Sequence, residues 1–257
     1  MKPYVIKIGG STLGRHDTTL EDLVTLQKRG VPLVVVHGGG SRVTEWLKRQ
    51  GTETGFIDGV RVTDEKSLEM VAAVLGGLVN TDLVAYINKI GGLAVGMTGV
   101  DGRILECKVT DPAIGYAGKV VKVNTIGIKA LLKAGLILML APPGAKSPDE
   151  PLDIPYVNIN GDDIAGKIAR AMEAEKLVFL TDVAGIRDSE GDFIAHLSPD
   201  DARELIENRV ISKGMIPKTE AALIAIETGC EVMIADGRVP HALIDAIDGE
   251  PTGTVIR

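Results

Sequence analysis

Two stretches decide how this chain folds: Tyr4-Val5-Ile6-Lys7-Ile8-Gly9-Gly10-Ser11 and Val31-Pro32-Leu33-Val34-Val35-Val36-His37-Gly38-Gly39-Gly40. Each is a short apolar run that stops in glycines. A helical pattern follows each, Leu20–Lys28 after the first and Ser41–Arg49 after the second, with Ser41 placed as an N-cap. A strand apolar on both faces, a glycine turn and a helix make a βαβ unit. Two such units predict a mostly parallel sheet with helices on both sides.

Working outward, Gly51–Asp64 reads as a loop or short hairpin. Glu65–Lys89 reads as a long helix, interrupted near Gly76-Gly77. Leu93–Met97 reads as a strand, Gly102–Lys122 as shorter strands joined by turns, and Thr125–Ala134 as a helix. Leu136–Ala141 reads as a strand stopped by Pro142-Pro143-Gly144, with a polar loop over Ala145–Asp153. A helix is expected over Asp162–Ala174 and a strand over Lys176–Leu180. Helices at Pro199–Asn208 and Lys218–Thr228 follow, with late strands at Glu231–Ala235 and Thr252–Ile256. The best internal boundary lies near residue 174 and carries no flexible linker. The expected architecture is a three-layer αβα sandwich of two lobes, 1–174 and 175–257, sharing one sheet.

Composition narrows the function. The 257 residues suit one large or two modest domains, and 45% hydrophobic with 25% charged residues is ordinary for a folded soluble chain. Aromatics are 3%, with Trp46 the sole tryptophan, too few for a base-stacking surface. A net charge of −7 disfavours non-specific binding to nucleic acid or anionic membrane. Cys107 and Cys230 read as reduced, buried small hydrophobes. No signal peptide is visible, and the longest apolar stretch, read around Leu136–Leu140, falls short of the ~20 residues of a membrane span. A cytoplasmic protein with no nucleic-acid or membrane partner is expected.

The glycines lie at the carboxyl edge of the inferred sheet, where open α/β folds bind ligands. Side-chain-free turns at Gly9-Gly10 and Gly38-Gly39-Gly40 let backbone N–H groups approach an oxyanion, and a helix N-terminus adds positive potential. The P-loop, G-x-G-x-x-G, G-x-S-x-G and H-E-x-x-H patterns are absent. Lys7 stands inside an apolar strand, where an unpaired charge is costly, so it is expected to face the phosphate loop. Lys218 opens a helix against the dipole, which points to a nearby anion. Asn158-Ile159-Asn160-Gly161-Asp162 carries more polar groups than capping needs: Asp162 can pair with the lysines, and Asn158 and Asn160 can bind substrate. Arg61 lies in a polar hairpin, and its fork suits a substrate carboxylate. His37 is read as a hydrogen bonder that orders its loop.

These segments, with Gly59-Val60-Arg61-Val62-Thr63, Thr181-Asp182-Val183-Ala184-Gly185-Ile186, Gly214–Lys218 and Gly253-Thr254-Val255-Ile256, resemble the amino acid kinase family. The motifs run in the family's order from residue 4 to 256. They look most like the members that phosphorylate the γ-carboxylate of N-acetyl-L-glutamate in arginine biosynthesis. The resemblance implies that Lys7 and Lys218 stabilise the transferring phosphoryl group and that Asp162 organises them. It implies that Gly39, Gly40, Arg61 and Asn158 bind the acyl amino acid in the first lobe. Asp182, Val183, Ala184, Gly185, Ile186 and Arg187, with Val210, Ile211 and Ser212, would line an ATP site in the second, and Mg²⁺ would ride on the ATP phosphates. Two other readings stay open: a kinase for aminoadipate or glutamate bound to a carrier protein, and a non-catalytic nucleotide-binding member. Arginine-inhibited members carry a helix ahead of the first strand. This sequence opens at the strand, so arginine insensitivity and a homodimer are expected.

Overall fold

The computed structural model describes residues 2–10, 18–57, 59–151, 154–211, 214–250 and 252–257. In chain order the first half comprises β1 (Tyr4–Ile8), α1 (Thr19–Lys28), β2 (Leu33–His37), α2 (Gly40–Arg49), β3 (Phe56–Ile57), β4 (Val60–Arg61), α3 (Glu65–Val71), α4 (Asn80–Lys89), β5 (Ala94–Gly99), β6 (Leu105–Val109) and β7 (Ala117–Val123). The second half comprises α5 (Thr125–Lys133), β8 (Ile137–Lys146), β9 (Tyr156–Ile159), α6 (Gly161–Ala171), β10 (Lys176–Thr181), β11 (His196–Leu197), α7 (Pro199–Glu207), α8 (Ile216–Ile226), β12 (Glu231–Asp236), α9 (Ala242–Asp248) and β13 (Thr254–Ile256). The expected αβα sandwich is present. Among the described residues, eleven strands form one sheet in the order β11-β13-β12-β10-β1-β2-β8-β6-β7-β9, with β5 also paired to β8.

β1 lies at the centre of this sheet. It runs parallel to β2 on one side and to β10 on the other, so the strand that opens the chain joins its early and late halves. The pleat then sorts the side chains. Ile6 and Ile8 enter the core with Leu23 of α1 and Ile87 of α4, whereas Val5 packs with Ile164 and Ile168 of α6. Period-two alternation puts Lys7 on the Val5 side, toward α6. The strands β1, β2, β10 and β12 all run parallel, so their carboxyl ends and glycine turns gather along one edge.

Four expectations need correction. The N-cap of α2 is Gly39 at φ 138°, not Ser41. β8 does not stop at the prolines but runs through them to Lys146. Its first half pairs with β2 and β5 and its second with β6 and β9, so Pro142 and Pro143 fall where the partners change. Gly76-Gly77 do not break the long helix. They lie in a π-helical stretch, Ala72–Val79, that joins α3 to α4. The resulting Glu65–Lys89 helix, and not the stretch around Leu136–Leu140, is long and apolar enough by composition to cross a membrane. Leu68, Val71, Leu75, Leu83 and Ile87 are buried, most of them packed in the core beside α1 and β2. The helix α9 and the short strands β9 and β11 had no counterpart in the sequence reading.

Candidate active site

The N-terminus of α6 builds the centre. Asn160 caps the helix, its side-chain oxygen accepting the Asp162 N–H at 2.8 Å. The carboxylate of Asp162 is thereby aimed at the sheet edge, and only 4% of the residue is exposed. Lys7 Nζ lies 2.9 Å from its Oδ1, and Lys218 Nζ donates to Oδ2 at 3.2 Å. Lys218 also donates to the Gly214 carbonyl at 3.3 Å. Burial disfavours the charged carboxylate, but the attraction of Lys7 and Lys218 outweighs it and holds Asp162 below the usual carboxylate range. Burial and the nearby Lys7 lower the Lys218 ammonium against the opposing pull of Asp162. Two cations on one anion leave net positive charge at this edge.

The glycine turns press against one another beside the lysines. A Cβ on Gly10 would stand 2.9 Å from Gly39 N, and one on Gly38 would stand 3.1 Å from Gly10 N. The backbone contact therefore requires glycine at position 10 and leaves a side chain at position 38 only tight room. His37 fastens the second turn from below. Its Nδ1 donates to the Gly38 carbonyl at 2.9 Å, and its Nε2 accepts from the Asn80 amide at 3.0 Å. Burial pushes the imidazole below its usual pKa, so the neutral tautomer holds the loop.

A cleft of about 150 Å³ opens over Gly38–Gly40. Arg61, Asn158 and Asn160 line it, with Phe56, Val71 and Leu75 as its apolar wall. Arg61 is not a solvated surface arginine. It is 6% exposed, and it donates to the Gly40 carbonyl at 2.8 Å, to Thr44 Oγ1 at 2.7 Å and to Thr54 Oγ1. The Phe56 ring lies 4.6 Å from its guanidinium carbon. Asn158 donates to Thr63 Oγ1 at 3.1 Å.

A second cleft, of about 410 Å³, is lined by Val183, Gly185, Ile186, Arg187, Val210 and Ile211. Asp182 accepts a hydrogen bond from Thr181 Oγ1 at 3.2 Å, and Ala184 lies in the same turn. Ser212 falls outside the described residues. Thr254 organises this turn, accepting from Ile186 N at 2.8 Å and donating to the Ile194 carbonyl at 2.6 Å. The Gly253-Thr254 pair was the only sequence signal for that contact. The apolar wall of the first cleft, which Leu75 reaches from the π-helical stretch, had no local signal.

The polar residues singled out in the sequence thus come together at one sheet edge. The Lys–Asp–Lys cluster lies at this edge, with Asn160 and Gly161 lining one cleft and Met215 the other, an arrangement that suits transfer of a polyanionic group. The profile of the amino acid kinase family matches residues 2–236. The chain belongs to the amino acid kinase family. An acetylglutamate kinase of Cereibacter sphaeroides is 42% identical over 258 residues, covering 98% of this chain and 87% of that protein. One of Dehalococcoides mccartyi is 42% identical over 253 residues, covering 98% and 93%. Among solved structures, N-acetylglutamate synthase from Neisseria gonorrhoeae, complexed with coenzyme A and N-acetyl-glutamate, matches with a TM-score of 0.85 and 27% identity. The match covers 99% of this chain and 59% of that one. As an amino acid kinase, the chain is an enzyme.

Proposed function

We propose that this chain transfers the γ-phosphoryl group of ATP to the γ-carboxylate of N-acetyl-L-glutamate, a cytoplasmic step of arginine biosynthesis. The observation that carries the reading is the Lys7–Asp162–Lys218 cluster. The cleft over Gly38–Gly40, in the lobe of residues 1–174, takes the acyl amino acid. Arg61 and Asn158 receive its α-carboxylate, Asn160 lines its path, and Gly39 and Gly40 receive the reacting end. The cleft along Asp182–Arg187 and Val210–Ile211, in the lobe of residues 175–257, takes ATP, whose phosphates reach toward Gly9 and Gly10.

A γ-carboxylate is already ionised at neutral pH, so no proton has to be removed. One of its oxygens bonds to the γ-phosphorus, the bond from that phosphorus to the β,γ-bridging oxygen breaks, and ADP leaves with the electron pair. Lys7 and Lys218 offset the charge that accumulates on the transferring group. Mg²⁺ carried on the nucleotide phosphates would need few protein ligands. The reading extends to a homodimer, which sedimentation tests.

Hydroxylamine trapping of the acyl phosphate tests the reaction. Hydroxamate should form with Mg²⁺, ATP and free N-acetyl-L-glutamate, and not with glutamate or carbamate. Tight ATP binding without turnover would defeat the proposal in favour of a carrier-bound acceptor or a non-catalytic role.

A further inference from the structure

Val60, the neighbour of Arg61 on β4, and Asn160, the cap of α6, line both the acceptor cleft and a larger cleft of about 320 Å³. This larger cleft lies between the segment leading into β7 and one face of α8. Ile216, Pro217, Ala221 and Ile224 recur at helical spacing, so they form a single aliphatic stripe along that face. Ile114, buried in the turn before β7, lines the cleft as well. The one acid deep in the cleft, Asp163, is already engaged, accepting the Val120 N–H at 2.9 Å. The cleft thus joins this aliphatic stripe with the charged side chains of Lys119, Lys167 and Glu220, and has no assigned ligand.

Its position matters because of how the acceptor lies. This step rests on the acceptor assignment above. With the γ-carboxylate toward the lysines and the α-carboxylate on Arg61, the N-acyl branch leaves the same carbon as that α-carboxylate. It therefore emerges beside Val60, the wall shared by the two clefts. An acetyl group ends there, whereas a longer acyl chain has the aliphatic cleft ahead of it. We infer that the enzyme accepts N-acyl-L-glutamates with acyl groups longer than acetyl, such as propionyl and butyryl, and seats the added methylenes between β7 and α8. Lys218 shares α8 but points away from this stripe, to Asp162, so filling the cleft leaves the phosphoryl site intact.

The experiment is hydroxamate formation with N-acetyl-, N-propionyl- and N-butyryl-L-glutamate, on the wild type and on Ile224→Trp. In the wild type, kcat/KM for the butyryl compound should lie within about tenfold of that for the acetyl compound. A closed acetyl pocket loses about 10- to 200-fold per misfitted methylene. Ile224→Trp fills the cleft, so it should lower kcat/KM for the butyryl compound by about tenfold or more while the acetyl value holds. A wild-type butyryl value reduced more than about a hundredfold overturns the inference. So does an equal effect of Ile224→Trp on both substrates. Should the variant fail to fold by circular dichroism, the wild-type series alone decides. Activity on the acetyl compound only refutes this inference and spares the proposed reaction; activity on none of the three refutes both.

Discussion

Lys7 and Lys218 lie 211 positions apart in the sequence and meet on one carboxylate, Lys7 Nζ at 2.9 Å from Asp162 Oδ1 and Lys218 Nζ at 3.2 Å from Oδ2. Each lysine has its own oxygen, so neither displaces the other. Removing the carboxylate leaves two buried ammonium groups facing each other. Asp162→Asn should destabilise the fold by about 3–5 kcal/mol, the usual cost of breaking a buried pair from one side. Urea unfolding checks this. Unchanged stability would mean that the lysines find other partners.

Replacing a lysine tests chemistry more than folding. Lys7→Ala and Lys218→Met each remove one cation from the expected path of the phosphoryl group. Loss of a preorganised donor of this kind costs about 10²–10³ in kcat. Far-ultraviolet circular dichroism should remain that of the wild type. A variant that keeps its turnover takes that lysine out of the mechanism.

Arg61 is held by three oxygen acceptors and the Phe56 ring, so its fork is fixed before substrate arrives. Arg61→Lys keeps the charge and loses the planar fork. KM for the acyl amino acid should rise about tenfold or more with a smaller change in kcat, the signature of lost ground-state binding. Steady-state kinetics with ATP saturating decides. A fall in kcat alone would place Arg61 in the phosphoryl step instead.

His37 makes stability depend on pH. The Asn80 amide nitrogen can only donate, so Nε2 accepts and the folded ring is neutral. Burial depresses the folded pKa below that of the unfolded chain, near pH 6.5. The unfolded state then takes up a proton that the folded state refuses. The contribution is fully present above pH ~6.5 and is lost as pH falls toward the folded pKa, by at most ~1.4 kcal/mol per pH unit. Unfolding free energies between pH 5 and 8 should show this slope, and His37→Gln should reduce it.

Gly39 couples the glycine turn to the long helix. Its φ is 138°, and an added Cβ would stand 2.7 Å from Leu75 Cδ2. Gly39→Ala therefore meets both backbone strain and a clash, and should cost about 1–3 kcal/mol and raise KM for the acyl amino acid. Gly30, also at positive φ but with open space around it, should cost less on the same substitution. Equal melting temperatures for the two variants would remove the packing half of the account.

The polar members of the site were legible because each broke a local rule. Lys7 charged an apolar strand, Lys218 opposed a helix dipole, and the Asn158–Asp162 run exceeded what capping requires. The apolar members broke none. Phe56, Leu75 and Ile224 satisfy the ordinary pattern of a hairpin or a helix, and nothing local separates a cleft wall from a core contact. The prolines of β8 misled for the opposite reason: they break a ladder in general, but here they fall where the strand changes partners.

By itself the sequence determined that parallel strands would end in glycine turns on one edge, because apolar periodicity and side-chain-free turns act over a few residues. It also placed the two lysines and the acid in the chain, but not their distances. Only the tertiary structure decided that β1 would lie between β2 and β10, that the pleat would turn Lys7 to the α6 face, and that α8 would bring Lys218 to the same carboxylate. Those outcomes depend on strand order and helix packing between residues far apart in the chain, which no local preference encodes.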